Sequence, residues 1–459
     1  MTLHIAKTSI MKTGAEQQLA TQFEAAEARL PGSGWVRAAR RKAFGQFVAL
    51  GLPHRRLEAW KYTDLRVAMK EAAQPALPSP TKRVPDLAAA LGPLAALDCI
   101  QLVFVNGTFL SAEMRASQAP GKDYHIGPLS HVLGTEGYDW MKEHFGLDAP
   151  GAPGAGDATL ALNTAFVTDG AVLRVEDGAK IGLPIHVVFY SDGGDAGRTT
   201  TRSMIKIGDD ASVTLIESHV GPGDALRQSN NVTTLSVGRR ATVSHIKLLG
   251  EGNNSLHTGT WMTDIGAGAT YRAFQMTAGS GTARSQMFVR FDGEGATADL
   301  SGVMLARGNG HVDTTLIADH AVPGCTSREL FKSVLQDRAR AIFQGKLLVR
   351  PDAQKSDAKQ MAQGLLLSED AEFISKPELE IYADDVACGH GSTSGQIDGD
   401  LLFYLRARGI PEPQARALLV TAFIGEALEA VQHEGVKEAL SDIAARWLAA
   451  GDTERGKQS

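Results

Sequence analysis

The chain has 459 residues, 43% of them hydrophobic, with 46 Lys and Arg against 52 Asp and Glu for a formal net charge of -6. That length suffices for about three average domains or one long repeat with appendages, and the mildly acidic balance supplies no basic field for nucleic acid or an anionic membrane. No apolar signal core opens the chain and no run of about 18 uninterrupted apolar residues occurs, so a cytoplasmic protein with no membrane partner is expected.

From Gly14 to about Leu65 the chain reads as helices, with Leu19, Phe23, Ala26 and Leu30 at helical spacing, then Trp35, Ala38, Ala39, Phe44, Phe47 and Val48. Gly51-Leu52-Pro53 stops this pattern and leads into RRLEAWKYTDL, Arg55 to Leu65, where Trp60 and Tyr62 suit an aromatic and salt-bridged anchor. The Pro and Ala-rich stretch from Gln74 to Pro85 reads as a linker. Asn106-Gly107 between apolar runs predicts a β-hairpin. An insertion is expected at about 129–157, with a short helix around Trp140 to Phe145 and an APGAPGAG tail.

Glycines at 178, 208, 238, 266 and 293 then recur every 27 to 30 residues as Gly-x-x-Ala or Asp-Gly-Ala corners ahead of extended runs. Restarting strands at near-constant spacing predicts stacked coils, a parallel β-helix or solenoid, rather than a sandwich. On this reading Asn230, Asn231, Thr233 and Thr234 suit the solvent face. In HVDTTLIADHAVPGCTSRELFKSV, His311 and Asp313 share a strand face and Asp319 adjoins His320, so His311, Asp313 and His320 are candidate metal ligands; buried hydrogen-bonded ladders are the commoner use of such groups.

Cys388 and His390 stand two apart in LEIYADDVACGHGSTSGQIDGDLLFYLRARGI, so on a strand they share a face. A thiol beside an imidazole can bind a soft metal, carry sulfur or act as a nucleophile; packing as a small hydrophobe and a turn residue is the alternative. With Cys99 and Cys325 the chain has three cysteines, far apart and without a CxxC pair, so a bound metal or cluster would need ligands from another chain. Beyond Gly409 the period becomes helical: Ala415, Leu418, Leu419, Ala422, Phe423, Ala427 and Val431 form one stripe, and Val436, Leu440, Ile443, Ala444, Trp447 and Leu448 another. No GxxxxGK[ST] occurs, so any ATP-using step belongs to a partner, and Gly389 to Gly395 matches neither GxGxxG nor GxSxG.

Three of these runs, Arg55 to Leu65, His311 to Val334 and Leu379 to Ile410, resemble segments of the SufB/SufD family of the SUF iron-sulfur cluster assembly system, and the resemblance covers nearly the whole chain. SufB-like scaffolds carry an upstream cysteine, whereas Asp357 to Ser368 here reads DAKQMAQGLLLS, and they carry a Glu-His pairing where Cys388-Gly389-His390 stands; both departures place the chain on the SufD side. The resemblance implies a right-handed parallel β-helix core over 99–400, an N-terminal helical region and linker over 1–98, and a C-terminal helical region over 401–459. It implies a non-catalytic scaffold subunit that pairs with a SufB-like paralogue as a heterodimer and with a SufC-like ATPase, the latter docking on the tail through Leu418, Leu419, Ala422 and Phe423. No cofactor is expected to be permanently bound; iron or a transient iron-sulfur cluster would sit at the paralogue interface beside His390 and Cys388, with flavin binding and a homodimer of the isolated chain left open. Two rivals remain: a β-helical carbohydrate-active enzyme using paired carboxylates among Asp384, Asp385, Asp398 and Asp400, and a structural interaction module in which Cys388 and His390 merely pack.

Overall fold

The structure is a computed structural model that describes residues 12–32, 34–76, 86–114, 123–133, 135, 138, 140–146, 156–191, 197–221, 226–279 and 281–455. The expected linker beyond Ala76 and the APGAPGAG tail up to Ala155 lie outside these residues. Two ten-stranded sheets face each other across a narrow lumen, and successive strands alternate between them, giving a parallel β-solenoid of about seven turns. Sheet A runs through Gly197–Ile207, Arg227–Val237, Ser255–Ile265, Thr282–Phe291, His311–His320 and Arg340–Val349 to Glu372–Ile381. Sheet B runs through Ser212–Val220, Thr242–Gly250, Thr270–Ala278, Thr297–Ala306, Thr326–Leu335 and Asp357–Leu366 to Ala387–Gly395.

The glycine repeat has a steric cause. At each corner the chain passes directly over the corner of the preceding coil, and a Cβ at Gly238 would lie 2.5 Å from the carbonyl carbon of Gly208, while one at Gly293 would lie 1.9 Å from the backbone nitrogen of Ala267. Backbone cannot yield to such a clash, so the first corner position stays glycine. Two residues later the chain adopts positive φ at Asp210, Arg240, Gly268 and Gly295, and the following alanines turn inward and are buried. Gly178 belongs to the second class: its neighbour Lys180 pairs with Ser212, which aligns Gly178 (φ +72°) with Asp210 rather than with Gly208.

Inside the lumen, side chains stack in register from coil to coil, as in the column Val213, Val243, Tyr271, Ala298. Each buried Val, Leu or Phe of this kind contributes about 1.5–3 kcal/mol. The outer face of sheet A is covered by Gly14–Ala26, Trp35–Leu50 and the helix Ala158–Phe166, and that of sheet B by Leu87–Leu91, Glu412–Leu428 and Glu434–Arg455. Thr13 and Glu16 close a capping box at the first helix, and Gly51 at φ +71° ends the second. Trp60 is buried with its ring 4.3 Å from the guanidinium of Arg284, so the Arg55 to Leu65 run anchors the helical region to sheet A.

The hairpin forms as expected, Ile100–Val105 pairing antiparallel with Thr108–Met114 across Asn106 (φ +50°) and Gly107 (φ +75°). It closes the first end of sheet B, and Tyr124–Pro128, antiparallel to Ala171–Val175, closes that of sheet A. Asn230, Asn231, Thr233 and Thr234 are not on a solvent face: all four are buried. Asn231 and Thr233 point into the lumen toward Lys247 and Glu217, and Asn230 lies under Ala158–Phe166, bonded to Asn163 and Thr159. The stripe expected on the first tail helix also divides. Ala415, Ala427 and Val431 are buried together with Val420, Ile424 and Leu428, whereas Leu418 and Ala422 are exposed and Leu419 and Phe423 half-buried.

Candidate functional site

The first end of the solenoid finishes in antiparallel strands, whereas at the other end the last strand of each sheet, Glu372–Ile381 and Ala387–Gly395, has no further neighbour among the described residues; the former is mostly half-buried and the latter largely exposed. The second of these, ACGHGSTSG, carries no Lys, Glu or Pro to block pairing, so its free edge can accept another strand. Cys388 pairs in register with Ala358 and packs against the cluster of Ala318, Leu347 and Ala358, which line the lumen. His390, two residues on, belongs to the adjacent lumen column and is exposed because no coil lies above it. The expected shared face is present, and it is the inner face at the mouth of the last coil. Burial pushes the Cys388 thiol up, leaving it protonated at neutral pH and a weaker nucleophile.

Below His390 the same column holds Gln360 and then Glu329, before turning apolar at Leu300. Both are 3% exposed, and neither the Gln360 amide atoms nor the Glu329 carboxyl oxygens meet a hydrogen-bond partner. Burial drives the Glu329 carboxyl up to about 8, only partly opposed by Ser327, so it is mostly uncharged at pH 7. The Gln360 amide crosses the lumen to Gly345 of sheet A, where a Cβ would fall 1.4 Å from Nε2. Sequence reading passed over both residues; the signal that could have found them is the register, which puts Glu329, Gln360 and His390 in line.

On the outer face of sheet B the last strands and the end of Glu412–Leu428 border a groove of about 990 Å³ that includes Arg328, Lys359, Met361, Gly391 and Glu426.

His311, Asp313 and His320 are not brought together. His311 and Asp313 do share the outer face of sheet A, where Asp313 pairs with Arg284 and accepts from the Thr63 hydroxyl, whose oxygen lies 2.9 Å from His311 Nε2. His320 lies at the other end of the strand on the inner face, its ring 4.3 Å from that of Phe291 and its Nε2 3.1 Å from Ser327 Oγ. Among the described residues no three His, Cys, Asp or Glu side chains gather as a metal-binding set. Asp385 is paired with Lys355 and Asp398 caps the helix Gly399–Ala407, so those carboxylates serve the surface and a helix end. No helix among the described residues is long and apolar enough to cross a membrane.

Deeper in the lumen lies a charged cluster that sequence reading also missed. Glu217 sits 3.0 Å from Lys247 and 3.2 Å from His245, with Thr233 donating at 2.9 Å, and Lys247 in turn reaches Asn231 at 3.1 Å and the ring of Trp261 at 4.5 Å. Glu251 accepts from Ser229 and His257 beside it.

Residues 189–423 match the family model described as the SUF system FeS cluster assembly SufBD core domain, and residues 13–187 that of the SufBD protein N-terminal region. The chain is 30% identical to the iron-sulfur cluster assembly protein SufD of Escherichia coli, over 86% of this chain and 88% of that protein. It is 29% identical to an iron-sulfur cluster assembly SufBD family protein of Synechocystis, over 83% and 84%, and 28% identical to SufD of Bacillus subtilis, over 62% and 66%.

Proposed function

Since this chain belongs to the SufBD family of the SUF system, as a SufD-like member with a role in iron-sulfur cluster assembly, we propose that it acts there as a non-catalytic scaffold subunit whose working surface is the open end of the solenoid. A SufB-like paralogue would close that end by strand addition along Ala387–Gly395, and a SufC-like ATPase would dock on the tail helices, where Leu418 is 48% and Phe403 73% exposed. His390 then presents an imidazole nitrogen to iron or a nascent cluster held jointly with the paralogue, the cluster being cargo rather than a resident cofactor. Cys388 is the lesser ligand, because its half-buried thiol must first lose a proton that burial holds on.

The observation that carries this reading is the placement of an exposed imidazole at the mouth of an unpaired coil, on a strand with a free edge. Co-expression of the His390→Ala chain with a SufB-like paralogue and a SufC-like ATPase is expected to give an intact complex that builds no cluster, read as lost iron-to-sulfur charge-transfer absorbance. Normal cluster yield from that complex refutes the assignment, and absence of a complex with the wild-type chain refutes the partners.

A further inference from the structure

Three polar residues in line at the open end of a lumen column, with Leu300 and Ala273 next behind them, require a reason. A buried amide or carboxyl left without a partner costs about 1–3 kcal/mol, and the column holds both, Gln360 and Glu329, directly behind His390. Strands in a sheet lie about 4.8 Å apart, so each of the three is the in-register neighbour of the next. Space for the middle member is provided from the opposite sheet, where Gly345 has no side chain in the volume the Gln360 amide occupies.

We propose that Gln360 and Glu329, unpaired as the open end stands, are positioning residues for His390: rotation of these side chains closes a hydrogen-bonded file in which the imidazole N–H donates to Gln360 Oε1 and the Gln360 amide donates to Glu329. The file fixes one tautomer of His390 and aims its other nitrogen, with the lone pair, out of the rim toward a soft or borderline cation such as ferrous iron. An imidazole that ligates a metal commonly gives its second nitrogen to a carbonyl or carboxylate in this way, and removal of that partner lowers metal affinity about 10–100-fold. Glu329 suits the inner place because its uncharged carboxyl can accept from the amide without stranding a charge in the lumen. This inference rests on the reading of His390 as a ligand for what it is for, but not for the hydrogen bond itself.

The test uses the full chain labelled with ¹⁵N-histidine. Long-range proton-nitrogen spectra, with His390 assigned by His390→Ala, report its tautomer. The wild type is expected to show one dominant tautomer, Gln360→Leu and Gly345→Ala to release the ring into a mixture, and Gln360→Glu, which keeps an acceptor, to retain the bias. Gly345→Ala changes no member of the file and acts by evicting the amide, so it stands in should Gln360→Leu fold poorly. In the complex with paralogue and ATPase, ferrous iron alone should bind about 10-fold or more weakly to the Gln360→Leu protein. An unchanged His390 tautomer in both Gln360→Leu and Gly345→Ala overturns the file, whatever His390 does. A shifted tautomer combined with normal cluster yield from His390→Ala overturns instead the ligand reading, and with it the purpose given to the file.

Discussion

Replacing Lys247 by Met removes the cation from the centre of the lumen while keeping its length. Glu217, 1% exposed, would keep only His245, Thr233 and His219 as polar partners, at 3.2, 2.9 and 3.9 Å. Removing one member of a buried pair costs about 3–5 kcal/mol. Unfolding entropy of about 2.1 cal/mol/K per residue over 459 residues is about 1 kcal/mol/K, so the melting temperature should fall by about 3–5 °C. The pH dependence fixes the cause. Burial acts to raise the Glu217 carboxyl, but Lys247, His219 and His245 together outweigh it and hold the group well below 4.5. Folded wild-type protein therefore binds fewer protons there than the unfolded chain; the stabilisation is full above pH 4.5 and is lost as pH falls through the lower folded value. With Lys247 gone, burial dominates and the folded carboxyl lies above its unfolded value, so stability is lost as pH rises. Calorimetric melts of Lys247→Met should show a larger deficit at pH 8 than at pH 5, and Glu217→Leu in the same chain should remove most of it. A Lys247→Met protein as stable as the wild type at pH 8, or a double variant less stable than the single, refutes the reasoning.

His320, driven down to about 4 by burial, is neutral in the fold but takes a proton near 6.5 when unfolded, so it withdraws about 3 kcal/mol of stability as pH falls from 6.5 through 4; His320→Phe should flatten that part of the melting curve, and an unchanged slope counts against it. Gly238→Ala forces a Cβ against the Gly208 backbone and should lower the melting temperature, while Gly425→Ala, with nothing within 4 Å, should stabilise its helix by about 1 kcal/mol; equal effects of the two in thermal melts would contradict the corner argument.

The coil architecture was legible because its cause is local and repeated: a glycine where backbone crosses backbone leaves the same mark at Gly208, Gly238, Gly266 and Gly293. The sequence also placed Cys388 and His390 on one strand face, since that follows from a period of two. It could not say which face was inner. Asn231 and Thr233 look like surface residues until Glu217 and Lys247 are found opposite them, because polarity marks the outside only where the inside is apolar. Ala158–Phe166 escaped notice for a related reason: a helix buried on every side has no polar face and leaves no stripe. The tail stripe merged two faces that the packed sheet separates, so Leu418 and Ala415 read alike although only one of them is covered. Gln360 and Glu329 are separated from His390 by 30 and 61 residues, and only the stacking register unites them.

The two ends of the stack are unlike. One terminates in hairpin-like strands that run against the rest; the other stops with its parallel ladder unfinished. A rod whose parallel ladder is continued at one extremity only offers a parallel strand its register there, and a like-built companion joining at that place would present its own reversed strands outward. Under the proposed pairing, growth into fibres, the hazard of repetitive β-structure, would give way to assembly that ends after one joining event.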